Sequence, residues 1–584
     1  MGPDLEAPRE GVRPRFGAVA PCVLSLYAFC TVLCTPTSTA RAISVEYVVS
    51  IEAPARQQVD VTLRLEDLAP DQSTIQLAMS ERPSFVRLPV PLLEGGVRAT
   101  VDAAIADTLP VLRLGPYLWE IPCEGREALT VSWQVPLGHR SRRDVREASD
   151  FAGQPYLDLD HGLLTTGALF LVPINAPFTA ASVRFSLPTG WRAHPPWPHE
   201  GGHTGTRFAI PQKESLVREA LPVGAWNVTE RESVRVWSTD DDLELAAGRA
   251  QIQEILGRVL ARPGWNGPRS AEIVFTRADG PGASGQALTN SIVLAIDPRM
   301  LGSRSPDATQ VVLHELLHAA DDREMTPELR WFEEGVTDYL AHRLLAEEGV
   351  ITWEQFAGTL SAICLEYEVS PRREEQSLAW CGRAFFDDPE AASLVYGLGA
   401  LIGAWLDLAM KDGLSADPLF AFSGTLSSMP SPITPQHFAA AIAGYLTPEE
   451  RTMLREFVEQ RAEFDPVRDF RRVSVEIDRQ DVERADRDVK MPPLRAVLRE
   501  TQIVDLRRDD LAHLLGLRPM DRLLVVNGRG VSDEQEVREA WRRSRGGRVQ
   551  VVADRMGRVI AIDRAIPPGI RYSIDPEPWR RRAR

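Results

Sequence analysis

The sequence predicts a multidomain α+β protein, and three observations lead there. A chain of 584 residues is too long for a single hydrophobic core and points to roughly three or four domains. From 43 to 228, apolar and polar residues alternate in short runs, as in Val45-Glu46-Tyr47-Val48-Val49-Ser50-Ile51 and Val59-Asp60-Val61-Thr62-Leu63-Arg64-Leu65. That period of two, broken by Pro, Gly and Asp, describes antiparallel strands with one buried face, hence an N-terminal β-sandwich-like domain. From 229 to 470 the pattern turns mixed and then nearly all helical. The composition, 44% hydrophobic and 25% charged, is that of an ordinary globular protein, and a formal net charge of -16 argues against a nucleic-acid partner.

Residues 1–42 read as an export signal. Arg9, Arg13 and Arg15 precede an apolar stretch from Phe16 to Cys34, and Ala40-Arg41-Ala42 offers a small-residue cleavage site. This implies an exported protein of a bacterial periplasm or cell envelope. Left uncleaved, the segment would be a membrane anchor, although it is short for a span and interrupted by Pro21; membrane contact is expected only in that case. No later segment is read as a span. Cys22, Cys30 and Cys34 would leave with the leader. Of the rest, Cys364 and Cys381 bracket a polar loop and can pair in an oxidising compartment, while Cys123 is expected as a buried thiol.

The mixed region opens with an amphipathic helix over Ala246 to Ala261. Glu272-Ile273-Val274-Phe275 reads as a strand and Ser291 to Asp297 as a second. Ser305-Pro306-Asp307 supplies an N-cap, a proline at the first helical position and an acid in the first turn. The helix it starts carries His314-Glu315-Leu316-Leu317-His318. Residues four apart lie one above the other, so both imidazoles aim at one point with Glu315 beside them. Thr326-Pro327-Glu328 starts a second helix bearing Trp331-Phe332-Glu333-Glu334-Gly335, with Glu334, Asp338 and His342 on one face. Two histidines and a carboxylate suit zinc, which keeps a fourth position for a water whose pKa it lowers toward ~7, and Glu315 is the general base. Glu333 competes with Glu334 as third ligand; the face shared with Asp338 favours Glu334. Asp338 is a candidate acceptor for a ligand histidine's other ring N–H, a solvated helix position being the alternative. Asp388-Pro389-Glu390 starts a long helix through Met410, and Thr434 to Phe464 supplies further helices.

His-Glu-Leu-Leu-His followed by Trp-Phe-Glu-Glu-Gly-Val-Thr-Asp-Tyr resembles the gluzincin metallopeptidases, and more narrowly their glycyl aminopeptidase-like family, with gaps over residues 43 to 570. The resemblance implies an N-terminal β-domain that helps wall the substrate cleft, a thermolysin-like, mainly helical catalytic domain and a C-terminal PDZ-like domain. It implies His314, His318 and Glu334 as zinc ligands, Glu315 as base and Tyr396 as catalytic tyrosine. It also implies that the strand before the histidine helix is the sheet edge on which an extended peptide pairs. Ala168 to Pro173 and Leu187 to Trp191 resemble the late strands of the family's β-domain. Two departures stand out. Gly280 to Asn290 lacks the acid that relatives place there for a substrate α-ammonium, and Gly397-Leu398-Gly399 lacks the usual lysine after the tyrosine.

A charged linker is read over 471–488 and a PDZ-like domain over 489–565. Gly516-Leu517-Arg518-Pro519-Met520-Asp521 leading to Asn527-Gly528 resembles the PDZ consensus, with Ser532 to Arg543 as groove helix and Gly547 to Ala553 as the next strand. Such a groove takes an extended peptide or C-terminus. Residues 566–584 read as a tail, Arg580 to Arg584 being basic and solvated. The function expected is a zinc peptidase acting on peptide or protein substrates. By resemblance it is an aminopeptidase; the alternatives are an endopeptidase with the same site, or a catalytically weak PDZ-type peptide-binding scaffold.

Overall fold

The computed structural model describes residues 42–583 outside 80–95, 103–104, 138–154, 201–205, 212, 240–242, 263–264, 266, 278–282, 297–305, 321–323, 371, 412–416, 462, 482–495, 506–511, 513–514, 518–520, 543–547, 556–557 and 566–569. Residues 1–41 of the expected leader and Ser305 therefore lie outside the described residues. The N-terminal part is β-rich. Its largest sheet orders Arg207–Ile210, Phe178–Ser186, Ile43–Ser50, Gln58–Glu66, Ala128–Pro136, Arg98–Asp102 and Ile105–Leu109 side by side. Alternate residues of Ile43–Ser50 and Gln58–Glu66 are buried, as their period of two requires. They face a four-stranded sheet that includes Thr74–Ala78 and Leu118–Pro122, with Tyr47, Val61, Ile75 and Trp133 between the layers. One pairing departs from the antiparallel expectation. Ile43–Ser50 runs parallel to Phe178–Ser186, a partner reached only by a long crossover that local alternation does not reveal.

A third sheet, of Arg192–Ala193, Ala220–Gly224, His161–Thr165 and Tyr156–Leu157, leads into the mixed sheet-and-helix region. There, five strands lie in the order Asn227–Arg231, Val234–Ser238, Ala271–Arg277, Ile292–Ile296 and Ala283–Ala287. Ile292–Ile296 is buried at every residue and paired on both sides. The strand just before the histidine helix is thus interior, contrary to what the resemblance implied, and the sheet edge is Ala283–Ala287, within the stretch noted for lacking an acid. Tyr156, Leu163 and Trp226 pack against Trp237, Val274 and Leu288, joining the N-terminal part to this sheet.

The helical part follows, with the histidine helix at Pro306–Ala320 and the tyrosine helix at Pro389–Ala409. The Asp388 carboxylate accepts the Glu390 and Ala391 N–H groups, capping the second. Contrary to the expectation of no further candidate span, Glu390–Ala409 is long and apolar enough to cross a membrane; 78% of its apolar window is buried inside the fold, as suits a core helix. Cys364 and Cys381 are separate buried thiols, as is Cys123, so the pairing read as open in the sequence is absent.

The C-terminal region corrects two readings. Ile477–Asp481, within the expected linker, pairs antiparallel with Ile570–Ile574, within the expected tail. Glu577–Arg582 is a helix whose Trp579 is only 1% exposed, packed in the core shared by the mixed sheet and the helices. Between these strands stands a sheet in the order Val497–Arg499, Gln502–Asp505, Arg522–Val526, Arg548–Arg555 and Arg558–Ala565, with Arg529–Gly530 beside Arg522–Val526. A helix, Glu534–Arg542, covers it, and Leu498, Ile503, Leu523, Val537 and Trp541 form a separate core. Asn527 and Gly528, with φ of 51° and 78°, make the tight turn that dipeptide favours.

Candidate metal centre and active site

The histidine helix starts at Pro306, with Asp307 in its first turn, and buries one face through Val312, Leu313, Leu316 and Leu317. His314 and His318 project from the adjoining face, their Nε2 atoms 2.9 Å apart. The chain then turns through a short 3-10 segment, Pro327–Leu329, and a π-helical stretch, Trp331–Val336, before an α-helix over Thr337–Glu347. Single π turns recur at functional sites because the wider winding re-aims side chains. Neighbouring residues on any helix point to different sides, and the two adjacent carboxylates of this stretch do so here. Glu334 is buried and places Oε2 3.5 Å from His314 Nε2 and 3.6 Å from His318 Nε2. Glu333 points elsewhere, 3.6 Å from Arg330 Nε. Donors around a small tetrahedral divalent ion stand about 3.4 Å apart. The trio fits such an ion in spacing and in donor chemistry, and among the described residues it is the cluster suited to a metal.

A second ring of residues holds the first. Asp338 Oδ1 lies 4.0 Å from His314 Nδ1, within electrostatic reach though longer than a hydrogen bond, and accepts the Gln310 amide at 2.5 Å. His342 approaches the Asp338 backbone carbonyl at 2.8 Å instead of the site. Glu315 is buried against the edge strand, where Oε2 accepts the Ala287 N–H at 2.6 Å. Gly285 makes this approach possible, since a Cβ there would fall 2.3 Å from Glu315 Cγ. The Tyr396 hydroxyl donates to Glu334 Oε2 at 2.8 Å. Thus His314, Glu315, His318, Glu334 and Tyr396 converge, and Asp338 stands behind His314.

Sequence reasoning missed what brings the tyrosine in. A Cβ at Gly335 would lie 2.5 Å from Gly399 Cα and from the Val395 carbonyl, and one at Gly399 would lie 2.5 Å from the Trp331 carbonyl. Gly403 meets Val336 and Tyr339 one turn further on. Gly399 and Gly403, four apart, form a smooth face on which the π turn lies backbone to backbone. That spacing of small residues was the available signal. Gln310 and the edge strand's Gly285 and Ala287 were missed as well.

Electrostatics separate the carboxylates. Burial raises the Glu315 carboxyl, against the pull of His314 and His318, so it holds a proton more readily than an exposed glutamate. Burial would raise Glu334 too, but His318 and His314 hold it well below the usual carboxylate range. Burial opposes charge on His318, yet Glu334 beside it pushes the imidazole up to about 9. The pocket therefore attracts positive charge. Burial, with Glu334 next, drives the Tyr396 hydroxyl well above its ordinary value, so it stays a donor.

Residues 46–218 match the Peptidase M61 N-terminal domain, and residues 309–409 match the M61 glycyl aminopeptidase family. Among solved structures, the aminopeptidase N family protein from Idiomarina loihiensis is similar with a TM-score of 0.68 at 17% identity, over 92% of this chain and 100% of that one. At that identity the likeness is one of fold. An M1 zinc metallopeptidase from Deinococcus radiodurans has a TM-score of 0.44 at 17% identity, over 73% of this chain and 96% of that one. No curated protein matches the chain in sequence.

Proposed function

From a chain that carries the M61 N-terminal and M61 glycyl aminopeptidase domains, we propose a zinc-dependent peptidase of gluzincin type that acts as an aminopeptidase. The observation that carries this reading is the convergence of His314, His318 and Glu334, with Glu315 and Tyr396 on either side. His314, His318 and Glu334 would hold the zinc, which supplies Lewis-acid polarisation and a water acidic enough to react near neutral pH. Glu315, oriented by the Ala287 N–H, takes the proton of the attacking water and delivers it to the leaving amine. Its raised affinity for protons suits both steps. Tyr396, kept protonated, donates its hydroxyl to the oxyanion that develops on the scissile carbonyl. Gln310 steadies Asp338, which faces the outer ring nitrogen of His314. The completeness of this set weighs against a catalytically weak scaffold.

An endopeptidase is the second reading, favoured by one observation. The edge strand and its turn, Ala283 to Asn290, present no carboxylate for a free amino terminus. The separate C-terminal sheet and helix are proposed as a PDZ-like peptide-binding domain, supported by the Asn527-Gly528 turn and the helix over Glu534–Arg542. Export to the periplasm or cell envelope is proposed from the basic and apolar leader.

Two measurements test the function together. Elemental analysis of the purified protein is expected to give close to one zinc per chain, lost in a His314→Ala, His318→Ala double variant. A peptide library with free and acetylated amino ends, read by mass spectrometry, separates the two activities. Stepwise trimming of free ends alone supports the aminopeptidase; internal cuts in blocked peptides support the endopeptidase; zinc without any cleavage refutes both.

A further inference from the structure

The edge strand ends in a turn, and that turn is held from the N-terminal domain by a buried carboxylate. Glu219, 1% exposed, precedes the strand Ala220–Gly224. Its Oε2 accepts the Asn290 backbone N–H at 3.3 Å, and its Oε1 accepts the Asn290 side-chain amide and, at 3.1 Å, the Ser215 hydroxyl. The segment bearing Glu219 is itself tied down, its N–H donating to Thr166 Oγ1 at 2.9 Å. Next to it, the Thr289 N–H donates to the Arg218 carbonyl at 2.9 Å. Leu288 is buried among Tyr156, Leu163 and Ala220 of the N-terminal part. Three successive residues, Leu288, Thr289 and Asn290, are therefore anchored across the junction. The residue before them is Ala287, whose N–H orients Glu315.

We propose that Glu219 is a positioning residue for peptide hydrolysis: through Asn290 it holds the end of the edge strand, and so the Ala287 N–H that orients Glu315. The proposal rests on the peptidase reading. A buried carboxylate is an expensive way to close a turn unless its acceptors are all used. Glu219 uses both oxygens for three donors, a pattern that an acceptor-only group satisfies fully and an amide does not. Burial raises its carboxyl to about 7 while Asn290 and Ser215 pull it back, as expected of a group kept for its contacts. The N-terminal domain thereby becomes part of the catalytic apparatus without touching substrate. Misplacing a base by about 1 Å costs up to about 100-fold in rate.

The test uses the full chain with Asn290→Ala, Glu219→Ala and Glu219→Gln. In the first two, amide exchange over residues 283–288 is expected to quicken while the histidine helix exchanges as before. On a peptide cut by the wild type, kcat should fall about 10- to 100-fold with a smaller change in KM and zinc content intact. Glu219→Gln, which keeps one carbonyl oxygen toward Asn290 but loses the other acceptor, should recover only part of the rate. Should Glu219→Ala fail to fold, Asn290→Ala at its exposed position carries the test. Unchanged exchange and kcat in Asn290→Ala, beside an active wild type, overturns the latch alone. Losses that only follow the folded fraction, equally in Glu219→Gln, also overturn it. A wild type that cuts no peptide overturns the peptidase reading and the positioning role with it.

Discussion

Glu315 and Glu334 are both buried glutamates, yet their surroundings push them toward opposite protonation states. Glu334 lies between two imidazoles that hold it ionised, the state that its proposed role as metal ligand requires. Glu315 accepts the Ala287 N–H and is pushed toward the neutral form, which suits its proposed role as proton carrier. Glu315→Gln should accordingly keep zinc and fold while losing about 10²- to 10⁴-fold in kcat, since an amide cannot take the water's proton. Glu334→Gln should lose the metal first, because it removes an anionic ligand. Metal content and steady-state rates on the same preparations separate the two, and a fully active Glu315→Gln would refute the base assignment. These residues were legible in the sequence because helical spacing of His314 and His318 is a local property. The choice of Glu334 over Glu333 also came from spacing, whereas the π winding of this stretch and the Arg330 that Glu333 meets were not visible there.

Elements were readable where their signals are local and hidden where they depend on a partner. Pro306-Asp307 and Asp388-Pro389 mark helix starts by capping chemistry, and both helices begin there. Ala283-Ser284-Gly285-Gln286-Ala287 has no β-branched or aromatic residue; it becomes a strand because Ile292–Ile296 offers it a ladder and because Gly285 leaves room for Glu315. The crossing of the tyrosine helix over the π turn is equally non-local, and it yields a sharp contrast between two glycines two residues apart. At Gly399 an added Cβ meets the Trp331 carbonyl, which cannot swing aside; at Gly397 the nearest atom is Ile363 Cγ2 at 3.7 Å. Gly399→Ala should therefore destabilise by about 1–3 kcal/mol and lower kcat by moving Tyr396 from Glu334. Gly397→Ala should be neutral or stabilise by up to about 1 kcal/mol, as alanine does in a helix. Thermal melts and zinc content decide; equal effects at the two positions would mean that the crossing relaxes freely.

On the scale of the whole chain, composition misled at the C-terminus for a definite reason. A charged stretch and an arginine-rich end carry no trace of each other, yet Ile477–Asp481 and Ile570–Ile574 pair across the intervening sheet domain. The pair is tied to the helical core through Glu368, which accepts the Tyr572 hydroxyl at 3.0 Å and the Arg479 guanidinium at 3.4 Å. Beyond it, Trp579 inserts its ring 5.7 Å from Phe356 and 6.1 Å from Phe470. Arg582 then reaches Asp407, a fully buried carboxylate also held by Arg343 at 2.9 Å and by the Tyr339 hydroxyl at 2.5 Å. The chain thus returns to the helical core after the sheet domain, and its last helix completes that core. Removing a buried tryptophan ring costs about 3–5 kcal/mol, because surrounding side chains close the cavity only in part. Trp579→Ala should lower stability by that amount, and truncation after Asp575 should lower it further by also stripping Arg582 from Asp407. Chemical denaturation of the full chain and of both variants measures this. A truncated protein that unfolds at the wild-type midpoint would show that the final helix only rests on the catalytic core.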